Sequence, residues 1–207
     1  MDVPSVPLAT AAPAARADSV RNDAADRAMA RYADGESAAF QEVFALIGPR
    51  IERFLRRLSG SRNIAEDLLQ ETMLKLHQAR GNFVPGMAVL PWAYTIARNC
   101  YIDTARAARR RPPAADAREQ GESDGPRAGP DADGEQQLIA RQAAQAVERA
   151  LSQMSLLRRE AFVLLRYEGL SVAVAAEVLG ASEGAVKLRA FQAYELIRQE
   201  LAKLDSR

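Results

Sequence analysis

Residues 169–201, GLSVAVAAEVLGASEGAVKLRAFQAYELIRQEL, hold two short amphipathic helical patterns separated by Leu179-Gly180-Ala181 and restarted at Ser182. Ser171 and Ser182 stand where N-caps belong, because a serine hydroxyl accepts from backbone N–H groups that a first helical turn leaves without partners. Gly180 supplies the permissive dihedrals that a sharp turn between packed helices requires. This is the grammar of a helix-turn-helix, and in DNA-binding units its second helix enters the major groove. A three-helix bundle with no affinity for DNA would carry the same caps, so the stretch fixes local fold more firmly than function.

Outward from this pair, a helical pattern covers about 135–154 and another about 156–168. Before them, residues 112–137 carry seven acids against Arg118 and Arg127, with four glycines and four prolines and almost no bulky apolar side chain. That composition predicts a flexible acidic linker. It follows the basic cluster Arg106, Arg109, Arg110 and Arg111, so the chain divides into a front body at 27–111, the linker and a rear body at 138–207. Each body is expected to build its own core.

In the front body Phe40, Val43, Phe44, Ile47, Ile51, Phe54, Leu55 and Leu58 recur at helical spacing, and Gly48-Pro49 predicts a break between two helices. Ile64, Leu68, Leu69, Met73 and Leu76 form a second stripe, with Asn63 and Glu66 as a variant capping box. A third helix is expected from Pro91 to about Arg109, with Trp92, Ile96, Cys100 and Ile102 inward. No segment sustains strand alternation, so the fold class is all-α: two small helical domains, the C-terminal one containing the helix-turn-helix.

Composition narrows the function. With 48% apolar and 27% charged residues the chain is ordinary for a globular protein, and no apolar run approaches membrane-spanning length. Residues 1–26, rich in Ala and Pro and lacking a basic start followed by an apolar core, read as a disordered extension rather than a signal peptide. Cys100 and His77 are the single cysteine and histidine, which excludes an intrachain disulfide and argues against a Cys/His zinc site. Cys100 is expected to be a small buried hydrophobe, and His77 to have a surface or packing role. No phosphate-binding loop, nucleophile elbow or metal cluster is present, so neither catalysis nor a cofactor is expected, and a reducing cytoplasm fits.

The third helix interleaves aromatic, amide and basic side chains: Trp92, Tyr94, Arg98, Asn99, Tyr101, Arg106 and Arg109. Aromatic faces stack on unpaired bases while arginines hold phosphates, so the pattern suits single-stranded nucleic acid; a helix with one buried aromatic face and one solvated basic face reads equally well. A separate duplex reader on the same tether favours the first, since linkage raises effective concentration at the second site.

DLLQETMLKLHQARGNF (67–83), PWAYTIARNCYID (91–103) and GLS…AAEVLG…GAVK (169–187), in that order, resemble a bacterial sigma factor of the extracytoplasmic-function (ECF) group. The resemblance covers about residues 27–204. It implies an alternative sigma factor that binds core RNA polymerase and directs promoter-specific initiation, under the control of an anti-sigma factor. The alternative is a sigma-like decoy that captures an anti-sigma factor without initiating transcription. By resemblance, Asp67, Gln70 and Glu71 dock on the polymerase β′ clamp helices. Trp92, Tyr94, Arg98, Asn99 and Arg106 then hold the separated −10 strand, and Ser182, Glu183, Lys187, Leu188 and Phe191 face the −35 element.

Two segments depart from the family pattern. The loop 83–90, FVPGMAVL, where the family forms a base pocket, is apolar instead of polar. On the recognition helix, Leu188, Ala190, Gln192 and Tyr194 replace the common Ser, Leu, Arg and Arg, while Lys187 and Arg189 remain. An outward Leu188 with Phe191 is open to three readings: contact with a thymine methyl, cover by a partner protein, or repacking around the small Ala190, the plainest of the three.

Overall fold

A computed structural model of the chain describes residues 12–110 and 134–205, all in helices and short connections. Most of the expected linker lies outside the described residues. Four helices build the front body: α1 (Ala12–Ala33), α2 (Ala39–Ser59), α3 (Arg62–Ala79) and α4 (Val89–Arg110). The rear body holds α5 (Gly134–Gln153), α6 (Leu156–Phe162), α7 (Val172–Leu179) and α8 (Glu183–Asp205), with a π-helical turn at Val163–Tyr167 continuing α6.

Local signals that rest on caps and turns appear as read. Ser171 Oγ accepts from the Val174 N–H at 3.3 Å, Ser182 Oγ accepts from Ala185 N–H at 3.3 Å, and Gly180 takes φ +58° at the C-cap of α7. Three boundary readings are corrected. α2 runs unbroken through Gly48-Pro49, because Val43, Ile47, Ile51, Phe54, Leu55 and Leu58 are buried on both sides of the proline. That burial outweighs the ~3 kcal/mol that an interior proline costs. The cap of α3 is Ser61, whose hydroxyl faces Ile64 N–H at 3.5 Å; Asn63 already lies within the helix. Phe44 and Ile64, expected inside, are exposed.

The third correction concerns the start of the front body. Helix α1 begins at Ala12, and Ala25, Ala28, Met29 and Tyr32 are buried in the core, so residues 12–26 are not wholly a disordered extension. Asp26 holds α4 in place: its Oδ1 accepts from the Val89 N–H at 2.7 Å, an N-terminal cap supplied from another helix. Burial pushes the Asp26 carboxyl up, and the Val89 hydrogen bond opposes the shift. Asp26→Ala is expected to cost the front body about 1 kcal/mol, measured as a lower urea midpoint with an unchanged m-value.

The sole cysteine packs inside, whereas the sole histidine is exposed at the surface of the front body. Tyr32 Oη hydrogen-bonds His77 Nδ1, with the edge of Phe40 against the imidazole. Cys100 is buried, and burial pushes its thiol up, which keeps it protonated and unreactive.

The bodies do not keep wholly separate cores. Ala150, Leu151, Met154, Phe162, Ala193 and Ile197 form a small cluster among α5, α6 and α8. Ala161, Val163, Leu164, Ala175, Ala176, Val178 and Leu179 instead join the front-body core, so that α7 packs on α4 and α6 on α2. The reason is size: a rear body of four helices, α6 and α7 of them short, has more apolar surface than it can cover by itself.

Candidate nucleic-acid and polymerase-binding surfaces

Helix α4 turns by about 100° per residue, which sorts its five candidate strand-binding residues onto two faces. Trp92, Asn99 and Arg106 are seven apart, close to two full turns, and fall on one stripe. Asn99 and Arg106 are exposed on it, while Trp92 is half-buried with its ring 5.7 Å from that of Phe83. An indole, an amide and a guanidinium in line match the stacking and phosphate contacts that a single strand needs. Arg109 and Arg110 extend the basic character to the end of the helix. In the adjoining loop Phe83 and Leu90 are buried while Val84 and Met87 face solvent, so its outer surface is apolar.

Tyr94 and Arg98 are placed otherwise, which corrects their expected position on one strand-facing surface. Tyr94 is fully buried, edge-on to Phe54 at 5.1 Å, and its hydroxyl donates to a Glu168 carboxylate oxygen. Burial pushes the phenol far up and keeps it a donor. Arg98 Nε donates to Glu160 Oε1 at 2.8 Å. Both partners belong to the rear body.

Around these two runs a set of contacts that the sequence did not reveal. Arg50 Nη2 donates to the Glu168 carbonyl at 2.8 Å, with Nε 3.7 Å from Glu168 Oε2. The Arg57 guanidinium lies 3.9 Å from the Tyr167 ring centroid, a cation–π contact, and Arg159 Nη1 donates to the Leu58 carbonyl at 2.6 Å. Glu160 is wholly buried; burial pushes its carboxyl up and Arg98 pulls it back. Its Oε2 and the Arg159 Nε have no hydrogen-bond partner among the described residues. Each such buried group costs about 1–3 kcal/mol. The one trace in the sequence is that Glu160 and Glu168 bracket the run AFVLLRY.

On α8 the candidate −35 residues share one side. Ser182, Glu183, Lys187, Leu188 and Phe191 are all exposed, and with Tyr194 the helical ones occupy an arc of roughly 140°. Lys187 Nζ sits 3.6 Å from Glu183 Oε2, an exposed pair too weak to withhold the lysine from a phosphate. Leu188 is 57% and Phe191 61% exposed while Ala190 is buried, so Leu188 does not repack around Ala190. A base methyl and a partner surface remain as its uses.

On α3, Asp67 and Gln70 are exposed, whereas Glu71 is half-buried and pairs with Lys75 at 2.9 Å. Ile64 and Leu74 project on the same stripe at positions 64, 67, 71 and 74. The surface is thus a ridge of acids flanked by exposed aliphatics, Ile64 among them although its stripe predicts it inward.

Comparison with known proteins identifies the family. The Sigma-70 region 2 family model matches residues 43–111 and the Sigma-70, region 4 model matches 144–197. RNA polymerase sigma factor CarQ of Myxococcus xanthus is 36% identical over 177 residues, spanning 86% of this chain and 97% of that protein. ECF RNA polymerase sigma factor SigF of Caulobacter vibrioides is 31% identical over 180 residues, 86% and 93% respectively. The chain belongs to the ECF sigma factors. The front body of this sigma factor is therefore region 2, with α1 preceding the matched segment, and the rear body is region 4. Sigma factors are transcription regulators that direct RNA polymerase to promoters. Among solved structures, the sigma factor RpoE in complex with the anti-sigma factor NepR from Bartonella quintana aligns with TM-score 0.60 and 25% identity, covering 80% of this chain and 98% of that one. CnrH in complex with the cytosolic domain of CnrY aligns at 0.61 with 24% identity, covering 88% and 98%, and shares the fold.

Proposed function

We propose that this ECF sigma factor divides promoter opening between its two bodies: region 2 grips core polymerase through α3 and holds the separated −10 strand along α4, while region 4 anchors on the −35 duplex through α8. The observation that carries this reading is the segregation of the two candidate surfaces. The Trp92, Asn99 and Arg106 stripe carries stacking and phosphate-binding chemistry, and the exposed arc of α8 starts at a capped N-terminus with Glu183 and Lys187. The work is done by binding energy, with no chemistry of its own, in the cytoplasm where polymerase resides. No described helix is long and apolar enough to cross a membrane.

An anti-sigma factor is the regulatory partner, by likeness to the RpoE–NepR complex. The outward Leu188, Phe191 and Tyr194 give such a partner apolar purchase on the surface that would otherwise meet DNA. The acid-and-aliphatic ridge of α3 docks on the β′ clamp helices, with Asp67 and Gln70 as acceptors for basic groups and Ile64 and Leu74 excluding water around them.

Run-off transcription with purified core polymerase tests the whole reading, which requires a promoter-specific transcript dependent on the chain. Asp67→Arg with Leu74→Arg is expected to weaken association with core polymerase by about tenfold or more, at an unchanged melting temperature, because both side chains are solvent-facing. Undiminished association would remove α3 from the interface.

A further inference from the structure

Beside the exposed arc of α8, region 4 carries an open groove of about 560 Å³, within the ~300–1,000 Å³ range of small-molecule sites. One wall is α8, which presents Tyr194, Ile197 and Arg198 at helical spacing. α5 contributes Val147, and Phe162, Arg166 and Tyr167 come from the end of α6 and its π-helical turn.

The π-helical turn shapes the floor. At about 100° per residue an α-helix would set Phe162 and Tyr167 about 140° apart. The Glu168 N–H instead reaches back five residues to the Val163 carbonyl at 3.1 Å, and this larger turn brings both rings to one side, 5.7 Å apart and edge to face at 81°. Phe162 meets Tyr194 in the same way, at 5.0 Å and 77°. A buried phenylalanine thus lies between two exposed tyrosines, with the aliphatic Val147 and Ile197 completing an apolar bed.

The charge lining this bed has one sign. Arg166 is exposed and has no acidic partner among the described residues. Arg198 has Glu195 at 2.7 Å, an exposed pair too weak to withhold the guanidinium from another anion. Glu148, exposed on α5 next to Val147, acts on Tyr167 through its charge but does not line the groove. Guanidinium groups match carboxylates in shape and charge, so two of them beside an apolar bed suit a ligand with one anionic head and an apolar body. A neutral lipid would leave both arginines unused, and a cation would meet two like charges.

We propose that this groove binds an amphiphilic carboxylate, its alkyl chain lying over Phe162, Val147 and Ile197 and its head on Arg166 and Arg198. Tyr194 belongs both to the groove and to the exposed arc of α8, so the site gives the chain a small-molecule input beside that helix. The proposal goes beyond the division of labour stated above and does not depend on it.

Isothermal titration calorimetry of the full chain with decanoate, kept below its micelle concentration, tests the site. Saturable binding at one ligand per chain is expected, weaker by about tenfold for octanoate, which lacks two methylenes. For 1-decanol and decyltrimethylammonium, which lack the anionic head, binding should be weaker by about tenfold or more. Arg166→Gln with Arg198→Gln should bring decanoate down to the level of decanol at an unchanged melting temperature, because both arginines are exposed. Ala202→Trp, which fills the groove from an exposed position, should abolish binding of the acid and the alcohol alike.

No saturable binding of decanoate overturns the site, and so does binding that survives both Ala202→Trp and loss of the two arginines. Decanol that binds as tightly as decanoate overturns the anionic class. If decanoate does not bind while Ala202→Trp weakens association with core polymerase, or dissociates a dimer seen by sedimentation, a protein surface fills the groove and the proposal falls. A chain that binds decanoate as expected but yields no promoter-specific transcript loses the division of labour and keeps the site.

Discussion

Trp92→Ala is expected to reduce promoter-specific transcript by about ten- to a hundredfold on fully paired template, and by far less on a template mismatched across the −10 element. Stacking of one base on an aromatic side chain is worth about 1–3 kcal/mol, and each 1.4 kcal/mol is a factor of ten. On paired template that stacking must offset the cost of separating the strands, so its loss falls on the opening equilibrium. A premelted template has already met that cost. Asn99→Ala, on the same exposed stripe of α4, is expected to show the same template dependence with a smaller loss. Trp92 also rests on Phe83, so a thermal melt accompanies the transcription assay and separates lost packing from lost stacking. Equal losses on both templates would place the action of Trp92 outside strand opening.

For Tyr94 the expected effect is on folding. Tyr94→Ala removes a fully buried ring that meets Phe54 edge-on, and a deletion of this kind costs about 3–5 kcal/mol. Against a typical total of about 5–15 kcal/mol this leaves region 2 marginal, seen as a large fall in the urea midpoint. Tyr94→Phe keeps the ring and loses only the hydroxyl donated to Glu168, with an expected cost of about 1–3 kcal/mol, because the buried acceptor loses its donor. Its binding of a −10 single strand should match wild type. A Tyr94→Phe chain that is stable but has lost strand binding would return this tyrosine to the DNA surface.

These two residues, two positions apart on one helix, carry the same signal in the sequence and stand in different surroundings in the fold. Composition marked α4 as aromatic and basic, and that pattern is the same for either face. The helical turn then separates Trp92 from Tyr94 by about 200°, and the face that meets a neighbouring body is set by the neighbour. Arg98 was legible as a phosphate ligand and is found on a carboxylate, which satisfies the same donors. Arg50, Arg57, Glu160 and Glu168 carried almost no signal, because a charged residue in an amphipathic pattern reads as solvated until its partner is known. Pro49 misled for a related reason, since local propensity marks a break that long-range burial overrides.

By itself, the sequence determined what is local or ordered along the chain: the all-helical class, the capped turn at Ser171, Gly180 and Ser182, two bodies in the order of region 2 and region 4, and membership in the ECF sigma factors. Caps, turns and periodicity act within a few residues, so their chemistry is written in the neighbouring letters. Only the tertiary structure decided that Asp26 caps α4 across 63 residues, that Leu188 and Phe191 look outward, and that region 4 closes on region 2 through Arg98–Glu160 and Tyr94–Glu168. Those outcomes depend on which surfaces meet, and a pairing between distant residues is fixed by packing that no single segment contains.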